Sequence, residues 1–240
     1  MGGRLMRILA LDTSTPSVIA GVAELDGVAT GPDVLATRMI TDARRHAEVL
    51  TTSIAEVLEE SGTARADLGA LVVGTGPGPF TGLRVGMATA AAFGDAVGIP
   101  VYGVCSLDAI AVDEFAHGGA PTVLVITDAR RREVYWARYR DGRRLDGPGV
   151  LAPAELVSSL TDTDIDIVCG SPDHAALFGR PVGAATVPTV AGLIVASQRP
   201  LDGSASGLGS GAAPGPLTPL YLRRPDAVEQ ADRTSAGGPR

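Results

Sequence analysis

Residues 74–86 read G-T-G-P-G-P-F-T-G-L-R-V-G. The stretch follows an apolar run, Leu68 to Val73, and opens a long alanine-rich apolar run, Leu83 to Phe93. Apolar runs joined by Gly and Pro read as a strand, a tight turn and a helix. A helix start offers unpaired N–H groups and partial positive charge, so such turns often cradle a phosphate. This turn is short of donors, because Pro77 and Pro79 carry no N–H. Two readings stay open: a working nucleotide loop, or a turn kept for its geometry.

Upstream, Arg7 to Leu11 reads as a strand ending at Asp12. The turn T-S-T-P-S follows, then a strand from Val18 to Glu24, a hairpin at Asp26-Gly27 and a strand from Val34 to Ile40. From about Arg44 to Glu60 the apolar period becomes helical, with Leu50, Ile54, Val57 and Leu58 on one face and Gly62 as the stop. Downstream, Val101 to Val104 reads as a strand, and Ser106 is placed to cap a helix through Phe115. The pattern then restarts. Val123 to Thr127 is a strand ending at Asp128, followed by A-R-R-R, a strand from Glu133 to Arg140 and a turn at Asp141-Gly142. Asp12 and Asp128 lie 116 residues apart and the hairpin glycines Gly27 and Gly142 lie 115 apart, which points to an internal duplication. Helices over Pro153 to Leu160 and Val190 to Ser197 and a strand from Ile165 to Cys169 complete the second half. Residues 202–219 are mostly Gly, Ser, Ala and Pro and read as a flexible linker, with Leu220 to Arg223 able to dock back on the body. The expected organisation is an N-terminal lobe at 1–117, a C-terminal lobe at 118–200 and a flexible segment and tail at 201–240.

Composition excludes several chemistries. The 240 residues are 45% hydrophobic and 4% aromatic, so the core is aliphatic. All 20 basic residues are arginine. Without lysine there is no P-loop lysine, Schiff base or lysine general base. A net charge of −7 opposes non-specific nucleic-acid binding, and the small arginine clusters (130–132, 143–144, 223–224) read as solvated turns. Charges interrupt every apolar stretch of membrane-spanning length, and Asp12 breaks the N-terminal apolar run, so a cytoplasmic location without membrane contact is expected. Cys105 and Cys169 form no disulfide or zinc pattern. His46, His117 and His174 lack a second histidine at helical spacing, and no G-x-S-x-G nucleophile motif occurs. No metal, cofactor or catalytic residue is assigned.

Two constellations remain. Asp12, Thr13, Ser14, Gly76, Gly78 and Asp128 form a candidate vestigial nucleotide site, with two carboxylates facing across a cleft. A carboxylate at a strand end equally serves as a turn cap. In the helix after the loop, Gly82, Gly86, Ala90, Gly94 and Gly98 recur every four residues. Small residues at that spacing admit a closely packed neighbour, either the protein's own sheet or a partner's helix.

L-A-L-D-T-S-T at 9–15, R-R-H-A-E-V-L at 44–50, G-P-G-P-F-T-G-L-R-V-G at 76–86 and G-I-P-V-Y-G-V-C-S-L-D-A at 98–109 resemble the bacterial TsaB (YeaZ) family. D-A-R-R-R-E-V-Y-W-A at 128–137 and P-L-Y-L-R-R at 219–224 are similar too. Pro79 departs from the family's usual serine. The resemblance implies an α/β, actin/Hsp70/sugar-kinase-like (ribonuclease H-like) fold of two duplicated lobes. It implies a role in forming threonylcarbamoyladenosine next to the anticodon of tRNAs that read codons beginning with A. The catalytic paralogue, TsaD, holds its metal with a histidine pair after the strand equivalent to Val101–Val104, where this chain has Cys105-Ser106-Leu107-Asp108. The expected role is therefore a non-catalytic subunit that binds and activates a TsaD-like subunit. The expected interface is His46, Leu50, Ile54, Gly82, Arg84, Val85, Gly86, Ala90 and Phe93. A TsaE-like ATPase joining the complex, homodimerisation when alone and only indirect contact with tRNA are also implied. The rival readings are a small ATPase or phosphotransferase using Asp12 and Asp128, and a metallopeptidase, which the missing histidine pair opposes.

Overall fold

The computed structural model describes residues 5–26, 31–41, 46–118, 121–160, 164–203 and 207–223, the side chains of 46 and 47 excepted. Gly27, Arg44, Arg45 and the tail from Asp226 fall outside them.

The first half lays down β1 (Met6–Asp12), β2 (Ser17–Leu25), β3 (Asp33–Thr41), α1 (His46–Glu60), β4 (Leu68–Gly74), α2 (Phe80–Val97), β5 (Val101–Val104) and α3 (Ser106–Ala116). The second lays down β6 (Thr122–Asp128), β7 (Val134–Arg140), β8 (Arg143–Leu151), α4 (Pro153–Ser159), β9 (Ile167–Gly170), α5 (Pro172–Ala175) and α6 (Val190–Gln198). One sheet has the order β3-β2-β1-β4-β5 and the other β8-β7-β6-β9. In each, an antiparallel meander is followed by a helix and a strand parallel to the first. The duplication seen in the aspartate spacing is thus a duplication of topology. Among the described residues the second sheet has four strands, with one parallel bridge, Val168 to Val182, at the β9 edge.

The period-2 alternation of each central strand supplies both faces. Leu9, Leu11, Leu71 and Val73 pack on α1 and α2 through Leu50, Ile54, Val57 and Met87. Ile8, Ala10, Ala70 and Val72 pack on α6 through Val190, Leu193 and Ile194. On the second sheet Val123 and Val125 meet Leu107 and Ile110 of α3, while Leu124 and Ile126 meet Leu156 of α4. The helices α3 and α6 therefore lie between the two sheets. They pack across the expected 117/118 boundary: α3 packs on the second sheet, and α6, from the second half, covers the first.

The low-complexity stretch is more attached than its composition suggests. Leu208 is buried and its N–H donates to the Ser197 carbonyl (2.7 Å), Leu217 packs on the first core and the Leu220 N–H donates to the Thr75 carbonyl (2.9 Å). A few leucines among the small residues suffice to dock it. The strand β8 had no sequence signal, because L-D-G-P-G interrupts alternation and the strand is an exposed edge.

Candidate functional site

The glycine-rich turn is closed against the end of β1. Asp12 is fully buried. Its Oδ1 accepts from the Ser14 N–H (2.8 Å) and the Ser14 hydroxyl (2.7 Å), and its Oδ2 accepts from the Ser106 hydroxyl (2.6 Å). The Ser106 oxygen in turn accepts from the Gly76 N–H (3.3 Å), so the loop is tied to the aspartate through one serine. Ser106 is the first residue of α3 and its hydroxyl goes to Asp12 rather than to the helix's own N–H groups, which corrects its reading as a cap. Burial pushes the Asp12 carboxyl above its ordinary range, and the three donors only partly offset it.

The glycines show how little space remains. A Cβ on Gly74 would lie 1.8 Å from the Asp12 Oδ2, and one on Gly78 would lie 2.2 Å from the Ser14 carbonyl oxygen. The Gly78 carbonyl accepts from the Tyr135 hydroxyl of the second half (3.4 Å). The start of α2 thus faces the T-S-T turn and Tyr135.

Asp128, the duplicate of Asp12, sits in the opposite environment. Its side chain is 42% exposed, its Oδ1 accepts from the Arg130 N–H (2.7 Å) and His174 Nε2 lies 3.9 Å away. His174 is itself fixed by Ser171 Oγ at 2.9 Å from its Nδ1. The six residues of the predicted nucleotide site are therefore divided. Asp12, Thr13, Ser14, Gly76 and Gly78 lie in one buried cluster centred on the Asp12–Ser14–Ser106 bonds, and Asp128 stands outside it.

The small-residue stripe of α2 resolves between its two readings. Gly82, Gly86, Ala90 and Gly94 are buried against the protein's own first sheet. A Cβ on Gly86 would lie 2.3 Å from Thr13 Oγ1, one on Gly94 would lie 2.3 Å from a Val101 methyl, and the Thr13 hydroxyl donates to the Gly82 carbonyl (2.7 Å). Leu50 and Ile54 of α1 are core residues as well. Of the expected interface, Leu50, Ile54, Gly82, Gly86 and Ala90 are buried within this chain, the first two in the first core and the stripe against Thr13 and the strands beneath. The outward surface of α1 and α2 carries exposed Arg84, Ala88 and Ala92 and half-buried Val49, Val85 and Phe93. His46 begins α1, and its side chain lies outside the described residues.

Two further features lie beyond the expected site. Buried Asp108 accepts from the Tyr139 hydroxyl (2.7 Å), with Arg144 Nη1 at 3.7 Å. Burial raises its carboxyl to about 6 and pushes the neighbouring Cys105 thiol up. It borders a cavity of about 220 Å³ lined also by Cys105, Asp202 and Thr218. The second feature is at the surface. Arg130, Arg131 and Arg132 are exposed and all have positive φ, at 59°, 51° and 63°. A left-handed backbone at non-glycine residues costs roughly 1–2 kcal/mol each.

Among the described residues no group of three or more His, Cys, Asp or Glu is placed to hold a metal, and no helix is long and apolar enough to cross a membrane.

Two half-duplicated sheets with a shared helical middle define the ribonuclease H-like, actin and sugar-kinase class of fold. A family model described as TsaD, tRNA N6-adenosine threonylcarbamoyltransferase, matches residues 34–170, more than half of the chain. The structure of YeaZ from Pseudomonas aeruginosa is similar with a TM-score of 0.68 and 26% identity, over 90% of this chain and 100% of that one. An uncharacterized protein of Mycobacterium tuberculosis (strain H37Rv) is 48% identical over 93% of this chain and 95% of its own length. A Mycobacterium leprae protein is 51% identical over 92% of this chain, which spans only 55% of that relative. The Escherichia coli tRNA threonylcarbamoyladenosine biosynthesis protein TsaB is 36% identical over 56% of this chain and 55% of its own. The chain belongs to the TsaB/YeaZ family.

Proposed function

We propose that this chain is a non-catalytic subunit in the formation of threonylcarbamoyladenosine on tRNA, and that it binds and activates a TsaD-like transferase. The names of the TsaB relatives support the pathway. The observation that carries the non-catalytic role is the closed Asp12 cluster: a carboxyl that is buried and bonded to two serines, with Gly74 against it and Gly78 packed on Ser14, leaves no opening for a metal-bound phosphate. The same observation disfavours the ATPase reading, since Asp128 alone is exposed.

The partner's helices dock on the outward surface of α1 and α2. Ala88 and Ala92, four residues apart and exposed, let a second backbone approach, and Val85 and Phe93 flank them. The same surface serves self-association when the partner is absent, and a TsaE-like ATPase joins the assembled pair. The test is capture of the transferase subunit by wild-type chain and by an Ala88→Arg/Ala92→Arg variant. Loss of capture with unchanged thermal stability is the expected result, whereas wild-type affinity sinks the helix surface as the docking site. Tight ATP–magnesium binding by calorimetry, abolished by Asp12→Ala, contradicts the non-catalytic reading.

A further inference from the structure

The contacts of the C-terminal segment join two features into one surface. Arg84, near the start of α2, lies 3.8 Å above the Phe80 ring and donates through Nε to the Tyr221 hydroxyl (3.0 Å). Phe80 and Tyr221 are 4.7 Å apart between ring centroids and are 39% and 37% exposed. Two residues beyond Tyr221, Arg223 donates to the Arg130 carbonyl (3.3 Å) and pairs with Glu133. Residues 221–223 therefore stitch an aromatic–arginine stack on the first half to the arginine turn on the second, within about 7 Å of chain.

The strip is basic in an acidic molecule. Arg84, Arg223 and the turn 130–132 bring five arginines together, with Asp128 and Glu133 among the carboxylates in contact, while the whole chain carries −7. Solvation alone does not require this turn to hold three consecutive arginines in left-handed backbone, which is strain of the kind found at functional sites. The Arg223 contact to the Arg130 carbonyl holds the turn in place. Exposed aromatic rings interleaved with arginines make the surface on which unpaired bases stack while cations meet the backbone.

We propose that this strip contacts RNA directly, the turn 130–132 meeting backbone phosphates and the Phe80–Tyr221 pair meeting an unpaired base. The proposal rests on the tRNA reading above for the identity of the RNA, a stem with its anticodon loop, and replaces the indirect contact that the family resemblance implies. Only the arginine–aromatic chemistry and its placement across both halves carry the contact itself.

The test is fluorescence anisotropy of a labelled anticodon stem–loop with the full chain, over a salt series, beside a blunt RNA duplex of equal length. Arg130→Gln/Arg132→Gln is expected to weaken stem–loop binding by about tenfold or more and to lower the log–log salt slope by about 1.4, or 0.7 per lost phosphate contact. Phe80→Ala/Tyr221→Ala is expected to weaken stem–loop binding at least about fivefold and duplex binding less. Thermal melting checks that each variant folds, and capture of the transferase subunit is measured alongside. No stem–loop binding by wild type, or equal binding by the arginine variant, overturns the proposal. Variants that keep the RNA but lose the transferase make the strip a protein-docking surface and overturn it too, leaving the subunit role intact. A wild-type chain that binds the stem–loop through these residues but captures no transferase supports the RNA contact and defeats the subunit role.

Discussion

Asp12 and Asp128 end equivalent strands, 116 residues apart, and they have opposite surroundings. The turn after Asp12 is small and polar, so it folds inward: Ser14 bonds the carboxylate, Thr13 fits against Gly86 and Gly78 closes over Ser14. The turn after Asp128 is built of arginines, which cannot be buried unpaired, so it stands outward in a left-handed backbone. The same topological position is a plug in one half and a display in the other. Duplication preserves the strand ends, while the residues one to four positions further on decide what each end does.

The largest effects are expected where the plug is disturbed. Gly74→Ala drives a methyl into Asp12, and a loss of about 3 kcal/mol is expected from such overpacking. Asp12→Ala strands two serine hydroxyls and an N–H in the interior and should cost about 2–3 kcal/mol, whereas Asp128→Ala should stay within about 0.5 kcal/mol. Denaturant unfolding of the three variants measures the asymmetry, and equal effects of Asp12→Ala and Asp128→Ala erase it.

A further buried carboxyl sharpens the picture through pH. Asp108 is raised by burial from 3.8 to about 6. The folded state then binds its proton more tightly than the unfolded one, so its stabilising contribution is complete below about pH 4 and is lost as pH rises through about 6. The difference is roughly 3 kcal/mol. Melting temperature should fall over that window and flatten above it, with a shallower fall in Asp108→Asn. A wild-type slope in that variant assigns the effect elsewhere, for instance to Asp113, which burial also raises to about 6.

Smaller effects probe the contact between plug and helix. Gly86→Ala meets Thr13 Oγ1 and should cost about 1–2 kcal/mol, part of it recovered in Thr13→Ala/Gly86→Ala. Additive losses across that cycle show that the two do not share a contact. On the display side, Arg132→Gly relaxes a left-handed residue and should raise stability by up to about 1 kcal/mol.

The two-lobed plan was legible because apolar alternation and the aspartate spacing repeat. The identity of the neighbour across the Gly82–Gly94 stripe was not, since four-residue spacing reports close approach without saying what approaches. Here it is Thr13, distant in sequence, against Gly86, and Val101, in the strand just after the helix, against Gly94. The exchange of α3 and α6 between the sheets was hidden for a similar reason: hydropathy marks both helices as buried without naming the sheet. The left-handed arginine turn carried a signal only in its run of three arginines, because nothing in their side chains favours positive φ. The docking of residues 207–223 rests on a few leucines within a composition that otherwise reads as linker.

The most direct measurement titrates the TsaD-like subunit with wild-type chain, Ala88→Arg/Ala92→Arg and Asp128→Ala, and follows tRNA threonylcarbamoylation by the mixture. Partnership through the α1–α2 surface with no chemistry at the strand ends predicts that the helix variant loses binding and activation together, by at least about tenfold, while Asp128→Ala keeps both. Activation that survives the helix variant but disappears with Asp128→Ala contradicts it.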